Sequence, residues 1–299
     1  MSIPAELAQD RSTPFRQKAL DYLDLIKPRI LLLVLLTVYG TMAVAAGGSW
    51  PALGMAWPTL IGVALAVGAG GALNCFIERD RDARMARTAH RPLASGRMKP
   101  VEALALGTLF WICSYFLLYF LVNPLTAYLT MLAFGAYVGI YTPLKSRSPL
   151  CTLIGAVPGA LPPVIGWAAI RAEVDGLAFV LFSIQFLWQI PHFLALALAR
   201  RCEYEEAGLP MYPVVEGSGK TLDLILLYTA ALVPVSLLPY GVLGAGPVYL
   251  CIALSTGAIF LGLALQGHQI GGEEQWCRRF FLYSIVYLVV LFGALVSGF

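Results

Sequence analysis

Apolar residues recur along this chain in runs of roughly twenty, the length an α-helix needs to cross a hydrocarbon core of about 30 Å. Nine such runs can be bounded approximately, at 28–46, 52–77, 101–121, 124–142, 150–170, 176–198, 221–243, 246–266 and 280–298. No run alternates at period two, which argues against a membrane β-barrel. The pattern predicts an all-α, polytopic membrane protein with nine transmembrane helices. Its expected organisation is a cytoplasmic N-terminal segment, 1–27, followed by one nine-helix domain, 28–299. Within the first segment, "FRQKALDYLDLIKPR" has the makings of a short amphipathic helix at the membrane surface.

The polar connections are unequal. Those after the first, third and seventh runs, "GGSWP", "VNP" and "LGAGP", are short. The connections after the second and sixth runs are long and rich in charge, and long loops on a rigid scaffold usually carry function. Run five, "LCTLIGAVPGALPPVIGWAAI", contains Pro158, Pro162 and Pro163, each of which removes a backbone donor. A kink for packing and a widened pocket are both compatible with them.

Composition agrees with this outline. The chain has 299 residues, 59% hydrophobic and 12% charged, against about 25% charged for soluble domains. Basic residues are too few for a nucleic-acid surface, but their placement is informative. Arg11, Arg16, Lys18, Lys27 and Arg29 lie before or at the start of the first run, seven follow the second, two follow the fourth, three follow the sixth and two follow the eighth. All nineteen fall on one face if nine helices cross, and Arg171 alone falls on the other. By the positive-inside rule the N-terminus is cytoplasmic and the C-terminus lies outside. The early acids Glu6, Asp10, Asp21 and Asp24 speak against a secretory signal or a transit peptide. The six cysteines show no C-x-x-C spacing and read as packing residues.

Candidate chemistry concentrates on the charged face. In "NCFIERDRDARMARTAHRPLASGRM", Asn74, Glu78 and Asp82 stand at i, i+4 and i+8, on one side of a helix, while Asp80 points elsewhere. An amide oxygen and two carboxylates suit Mg²⁺, which prefers a few carboxylates, waters and substrate phosphates to a full protein cage. Arg87 and Arg91 follow and are suited to holding phosphate oxygens. A solvated, salt-bridged loop is the alternative reading. Lys145 and Arg147, in "YTPLKSRSPL", are either topology anchors or further diphosphate ligands. In "QFLWQIPHFLALALARRCEYEEAGLPMYPVV", Gln185, Gln189, His192, Arg200 and Glu203 would share one face of a continuous helix. The glutamines fit interhelical hydrogen bonding or a cavity wall. His192 fits iron ligation, substrate binding or a backbone hydrogen bond. His90 and His268 lack metal-ligand spacing.

Several of these motifs, in order and spacing, resemble the UbiA-type intramembrane prenyltransferases. "N-x-x-x-E-x-D-x-D-x-x-M-x-R-T-x-x-R-P-L" looks like the family's first aspartate-rich motif, in the form found in the branch that farnesylates protohaem IX. "SPLCTLIGAVPGALPPVIGWAA", "WQIPHFLALA" and "EYEEAGLPMYPVV" are similar to that branch too, and the likeness runs from about residue 24 to the C-terminus. Three positions depart from the wider pattern: Glu78 stands where Asp is usual, and Arg200 and Tyr204 stand where the quinone branch has carboxylates.

The resemblance implies a helical bundle with a cytoplasm-facing cavity and Mg²⁺ held by Asn74, Glu78 and Asp82, which are also the expected catalytic residues. It implies a diphosphate held by Arg87, Arg91, Lys145, Arg147 and Arg200, and a haem or prenyl pocket of Gln189, His192, Tyr204, Trp188 and Tyr141. The implied reaction transfers farnesyl from farnesyl diphosphate to a vinyl group of haem b, with water addition, at a bacterial inner membrane. Aromatic faces such as Trp188, Tyr137 and Tyr141 would steady the cations. Implied partners are the two substrates, the bilayer and a downstream haem A synthase or terminal oxidase assembly. A quinone-precursor prenyltransferase is the nearest rival. A transporter is the more distant one, and it would place its ionisable groups or broken helices near the midplane.

Overall fold

The structure is a computed structural model and describes residues 14–298. It contains no strand among the described residues. Helix α1, Pro14–Ile26, comes first, followed by α2, Pro28–Ala45, α3, Leu53–Asp82, and α4, Pro100–Leu121. Next, α5, Pro124–Gly135, runs into a π-helical turn, Ala136–Tyr141, and then α6, Thr142–Leu144. The chain continues with α7, Cys151–Gly159, α8, Leu161–Arg171, and α9, Gly176–Ala199. Short helices α10, Arg201–Glu206, and α11, Tyr212–Val215, lead to α12, Gly217–Val242, α13, Pro247–Ile270, and α14, Glu274–Ser297.

Among the described residues nine helical stretches are long and apolar enough to cross a membrane. They agree with the nine runs in number and order. Four boundaries extend beyond the runs by four residues or more. The second span reaches Asp82, so its helix carries the whole acidic motif, the seventh begins at Gly217, the eighth runs to Ile270 and the ninth begins at Glu274. These extensions are polar turns that hydropathy trims and backbone hydrogen bonding retains. The starts are encoded locally. Pro28, Pro100, Pro124 and Pro247 open helices where a missing N–H costs nothing. Asn123 accepts a hydrogen bond from the Thr126 N–H, and Asp175 accepts from those of Leu177 and Ala178.

The spans form a closed ring. Each packs on its neighbours in sequence, α14 returns to α2, and further contacts run between α2 and α8 and between α9 and α14. Small residues permit the close approaches. A Cβ on Gly166 would lie 2.4 Å from the Val38 carbonyl oxygen, and one on Gly62 would strike Leu118. Such contacts hold membrane helices together, where burial from water does not. The outer surface is apolar, with Phe120 71% exposed and Val248 66% exposed, as lipid contact requires.

The three prolines of run five divide one span into two helices. The chain breaks at Ala160 after Gly159, and Pro162 and Pro163 sit in the first turn of α8. The gap is filled by protein. Gln189 inserts against Gly159, where a Cβ would lie 2.0 Å from its Oε1. Its Nε2 donates to the carbonyls of Ala156 and Gln185 at 3.4 and 3.2 Å.

Helix α1 is amphipathic, as its sequence suggests, and its apolar side packs on protein. Leu25 is fully buried among Ala72, Cys75, Leu93, Met98 and Ala103. Gly71 makes this possible, since a Cβ there would lie 2.3 Å from the Leu25 carbonyl oxygen. Polar contacts fix the angle. Asp21, buried, accepts from Arg97 Nε and Nη2 at 3.1 and 3.0 Å, and Tyr22 donates to Glu102 at 2.9 Å.

Candidate active site

Because α3 stays helical to Asp82, Asn74, Glu78 and Asp82 lie one above another over the last turns of the helix. All three are buried, Glu78 to 3% exposure and Asp82 to 5%. Asp80 faces away, its side chain 76% exposed and 3.6 Å from Arg79. Buried carboxylates must be paired, and each oxygen-bearing group on this face has a cation.

Lys27 Nζ donates to Asn74 Oδ1 at 2.7 Å and approaches the Tyr137 hydroxyl at 3.4 Å. Lys145 Nζ lies 3.1 Å from Glu78 Oε1 and 3.3 Å from Oε2. Arg91 Nη1 donates to Asp82 Oδ2 at 2.7 Å. The three cations come from the α1–α2 junction, the loop after α3 and the turn after α6. Asn74 Nδ2 donates to Thr142 Oγ1 at 3.2 Å, and Thr142 donates to the Tyr137 carbonyl at 2.9 Å. The π-helical turn therefore sets Tyr137 and Thr142 beside Asn74, in keeping with the frequent use of π-turns at functional sites. Tyr137 and Tyr141 stack at 5.5 Å.

In the sequence Lys27 reads only as a topology signal. Its backbone is left-handed, with φ 52 and ψ 65. This conformation costs a non-glycine residue about 1–3 kcal/mol and persists where the surroundings enforce it. Here α1 is anchored on one side and Pro28 opens α2 on the other. Burial works against the Lys27 charge, yet Tyr137, Cys75 and Glu78 outweigh it and hold its pKa above the ordinary lysine value. Burial likewise opposes the charge of Arg91, and Asp82 more than compensates. The sequence signal for Lys27 was a lysine between a helix end and a proline, which any helix junction could display.

The two long loops, after α3 and after α9, meet beside this site. Arg87 Nε lies 3.8 Å from Glu203 Oε2, both side chains being partly exposed. Beneath them Met85, Cys151, Tyr204, Leu209 and Met211 form one apolar cluster, with Tyr141 against it. Tyr141 and Tyr204 thus flank the acidic face.

Other expected residues lie elsewhere. Arg147 is exposed in the turn after α6. Arg200 sits at φ −116, where α9 ends and α10 has not begun, so the polar stripe on α9 does not continue to Arg200 and Glu203 as a single helix face. His192 Nδ1 is 2.6 Å from Ser284 Oγ, its ring stacked between Trp188 at 4.6 Å and Phe281 at 4.4 Å. Trp188 Nε1 donates to the Ser284 carbonyl at 2.6 Å. These two residues face α14, whereas Gln189 faces the break between α7 and α8.

The donor set fits Mg²⁺ in one specific way. Two carboxylates and an amide oxygen share a buried face, and no group of three or more His, Cys, Asp or Glu side chains forms a metal cage among the described residues. A hard cation here must draw remaining ligands from water and substrate phosphate.

Residues 33–285 match the model of the UbiA prenyltransferase family. The chain belongs to that family. It is 44% identical over 299 residues to a protoheme IX farnesyltransferase of Anaeromyxobacter sp. (strain Fw109-5), covering 100% of this chain and 99% of the relative. It is also 44% identical over 282 residues to one of Myxococcus xanthus (strain DK1622), covering 93% and 94%. Among solved structures, a digeranylgeranylglyceryl phosphate synthase in membranes superposes with TM-score 0.80 at 16% identity, over 94% of this chain and 98% of that one. A UbiA homolog from Archaeoglobus fulgidus bound to DMAPP and Mg²⁺ superposes with TM-score 0.60 at 17% identity, over 93% and 100%. These structural likenesses speak for the fold. As a UbiA family member with nine apolar helices among the described residues, the chain is a multi-span membrane protein.

Proposed function

We propose that this UbiA family member transfers the farnesyl group of farnesyl diphosphate to a vinyl group of haem b, with addition of water, giving haem O and diphosphate. The observation that carries the donor half is the cluster on α3, where each oxygen-bearing group is already matched to a cation. The acceptor half rests on near-full-length similarity at 44% to relatives named protoheme IX farnesyltransferase.

Asn74, Glu78 and Asp82 would hold Mg²⁺, which supplies neutralisation of the charge that develops on the leaving diphosphate. Lys145 and Arg91 bind phosphate oxygens, with Arg87 at the rim and Arg147 and Arg200 reached from the loops. The allylic C1–O bond breaks and its electron pair leaves on the diphosphate. The vinyl π pair of haem b forms the new C–C bond. Water adds to the cation left beside the porphyrin and releases its proton to solvent. Tyr141 and Tyr204, on the apolar side of the cluster, exclude water from the allylic cation and offer it their π faces. Gln189 packs into the α7–α8 break, and His192 and Trp188 pack on α14, so a haem or prenyl pocket built from them would open only as these side chains move.

The membrane is a bacterial inner membrane, with the N-terminus and the site on the cytoplasmic side and the C-terminus periplasmic. Nineteen of twenty basic residues support this orientation. Residues 28–299 act as one domain, with 1–27 as its cytoplasmic lead, and the product passes to a haem A synthase or oxidase assembly. Purified protein given haem b, farnesyl diphosphate and Mg²⁺ should raise the porphyrin mass by one farnesyl group and one hydroxyl group. An unchanged porphyrin, under conditions where farnesyl diphosphate is consumed, would refute the acceptor assignment.

A further inference from the structure

Three cations occupy the three groups expected to receive Mg²⁺. Lys27 lies on Asn74, Lys145 on Glu78 and Arg91 on Asp82, all within 3.1 Å. Two carboxylates face three positive charges, so the cluster is already positive. A divalent ion arriving alone must displace cations from the oxygens and leave them without counter-charge in a buried setting, where unpaired charge is strongly disfavoured. A diphosphate group carries roughly three negative charges near neutral pH. Arriving together with the metal, it offers new partners to every displaced cation.

We propose that Lys27 is a diphosphate-binding residue of this site, and that with Lys145 and Arg91 it holds the metal position until a metal–diphosphate pair arrives. The inference rests on the metal–diphosphate reading of the site and is independent of the acceptor. Each cation moves from a side-chain oxygen on α3 to a phosphate oxygen as the metal takes its place. The partial donor set points the same way, because two carboxylates and an amide leave most of the coordination shell to the substrate. Lys27 is suited to the exchange. Its backbone is held by the docking of α1 and by Pro28, while its long side chain remains able to swing between Asn74 and a neighbouring acceptor. Coupling of this kind is reciprocal, so metal and diphosphate strengthen each other's binding by one common factor.

The test is retention of Mn²⁺, as a substitute for Mg²⁺, by full-length protein in lipid nanodiscs, with and without inorganic diphosphate. Free Mn²⁺ is read by electron paramagnetic resonance, and binding of Mn²⁺ to diphosphate in solution is subtracted using empty discs. Wild type should bind Mn²⁺ about tenfold or more tightly when diphosphate is present. Lys27→Met, which keeps the length of the stem, should bind Mn²⁺ alone more tightly than wild type and the Mn²⁺–diphosphate pair more weakly. Lys145→Met should show the same opposed pair of changes, so the outcome does not hang on one variant's folding. A residue with only a structural role would shift both affinities in one direction. Equal Mn²⁺ affinity with and without diphosphate in wild type would overturn the inference and leave the metal site standing. Variants that weaken both affinities would also overturn it. No Mn²⁺ binding under any condition would remove the metal site itself and the inference with it.

Discussion

Asp80 and Asp82 are two residues apart and identical in chemistry, yet only one belongs to the site. Helical geometry turns Asp82 inward onto Arg91 and leaves Asp80 exposed beside Arg79. Asp82→Asn should therefore lower turnover by about 10²–10³, the usual loss when one charge-stabilising group is removed. Asp80→Asn should change it less than about twofold. Initial rates of diphosphate release from the two variants, measured at equal amounts of folded protein, check this pair. Equal losses would mean that the register of α3 is misassigned. The inward set Asn74, Glu78 and Asp82 was legible in the sequence because i, i+4, i+8 spacing defines a helix face without tertiary information. Lys27 was not legible as a site residue. Its partner Asn74 is 47 positions away, and the contact exists only because α1 docks in one orientation.

Helix α1 and the α7–α8 break show what elements add to a site that residues alone do not. Gly71 lets the Leu25 carbonyl approach α3, so Gly71→Ala should push α1 outward and carry Lys27 from Asn74. Activity should fall several-fold while the nine-span bundle keeps its unfolding temperature within a few degrees, a split visible in paired turnover and thermal-unfolding measurements. Gly159→Ala should act oppositely. The new methyl collides with Gln189 inside the bundle, and overpacking of this kind costs about 1–3 kcal/mol. Its signature is a lowered unfolding temperature. The nine spans were legible from run length, and the prolines of run five correctly marked a disturbance. What filled the break was not legible, since Gln189 arrives from another span. The supposed continuity of the α9 stripe failed for a related reason. Arg200 leaves helical geometry as the chain turns into α10 to meet the long loop after α3, and periodicity extrapolated through a polar segment cannot register such a turn.

At the scale of the whole molecule, charge separates by face while apolar surface covers the girth. The proposed orientation places Cys202, exposed on α10, on the cytoplasmic side and Glu173, exposed after α8, on the periplasmic side. A membrane-impermeant maleimide should reach Glu173→Cys in intact cells, and reach Cys202 only after permeabilisation. Labelling of Cys202 in intact cells would invert the topology and the position of the site with it. In the proposed orientation the one-sided charge serves two ends: part of it sets topology, and part, through Lys27, Arg91 and Lys145, belongs to a buried cluster that topology alone does not require. The central claim is that this cluster drives farnesyl transfer to a porphyrin. It is tested most directly by giving purified protein farnesyl diphosphate with equal amounts of haem b and 4-hydroxybenzoate, with and without Mg²⁺, and weighing the products. The expected result is a porphyrin heavier by one farnesyl group and one hydroxyl group, formed only with Mg²⁺, and unchanged 4-hydroxybenzoate. Prenylated 4-hydroxybenzoate beside unaltered haem b would contradict it.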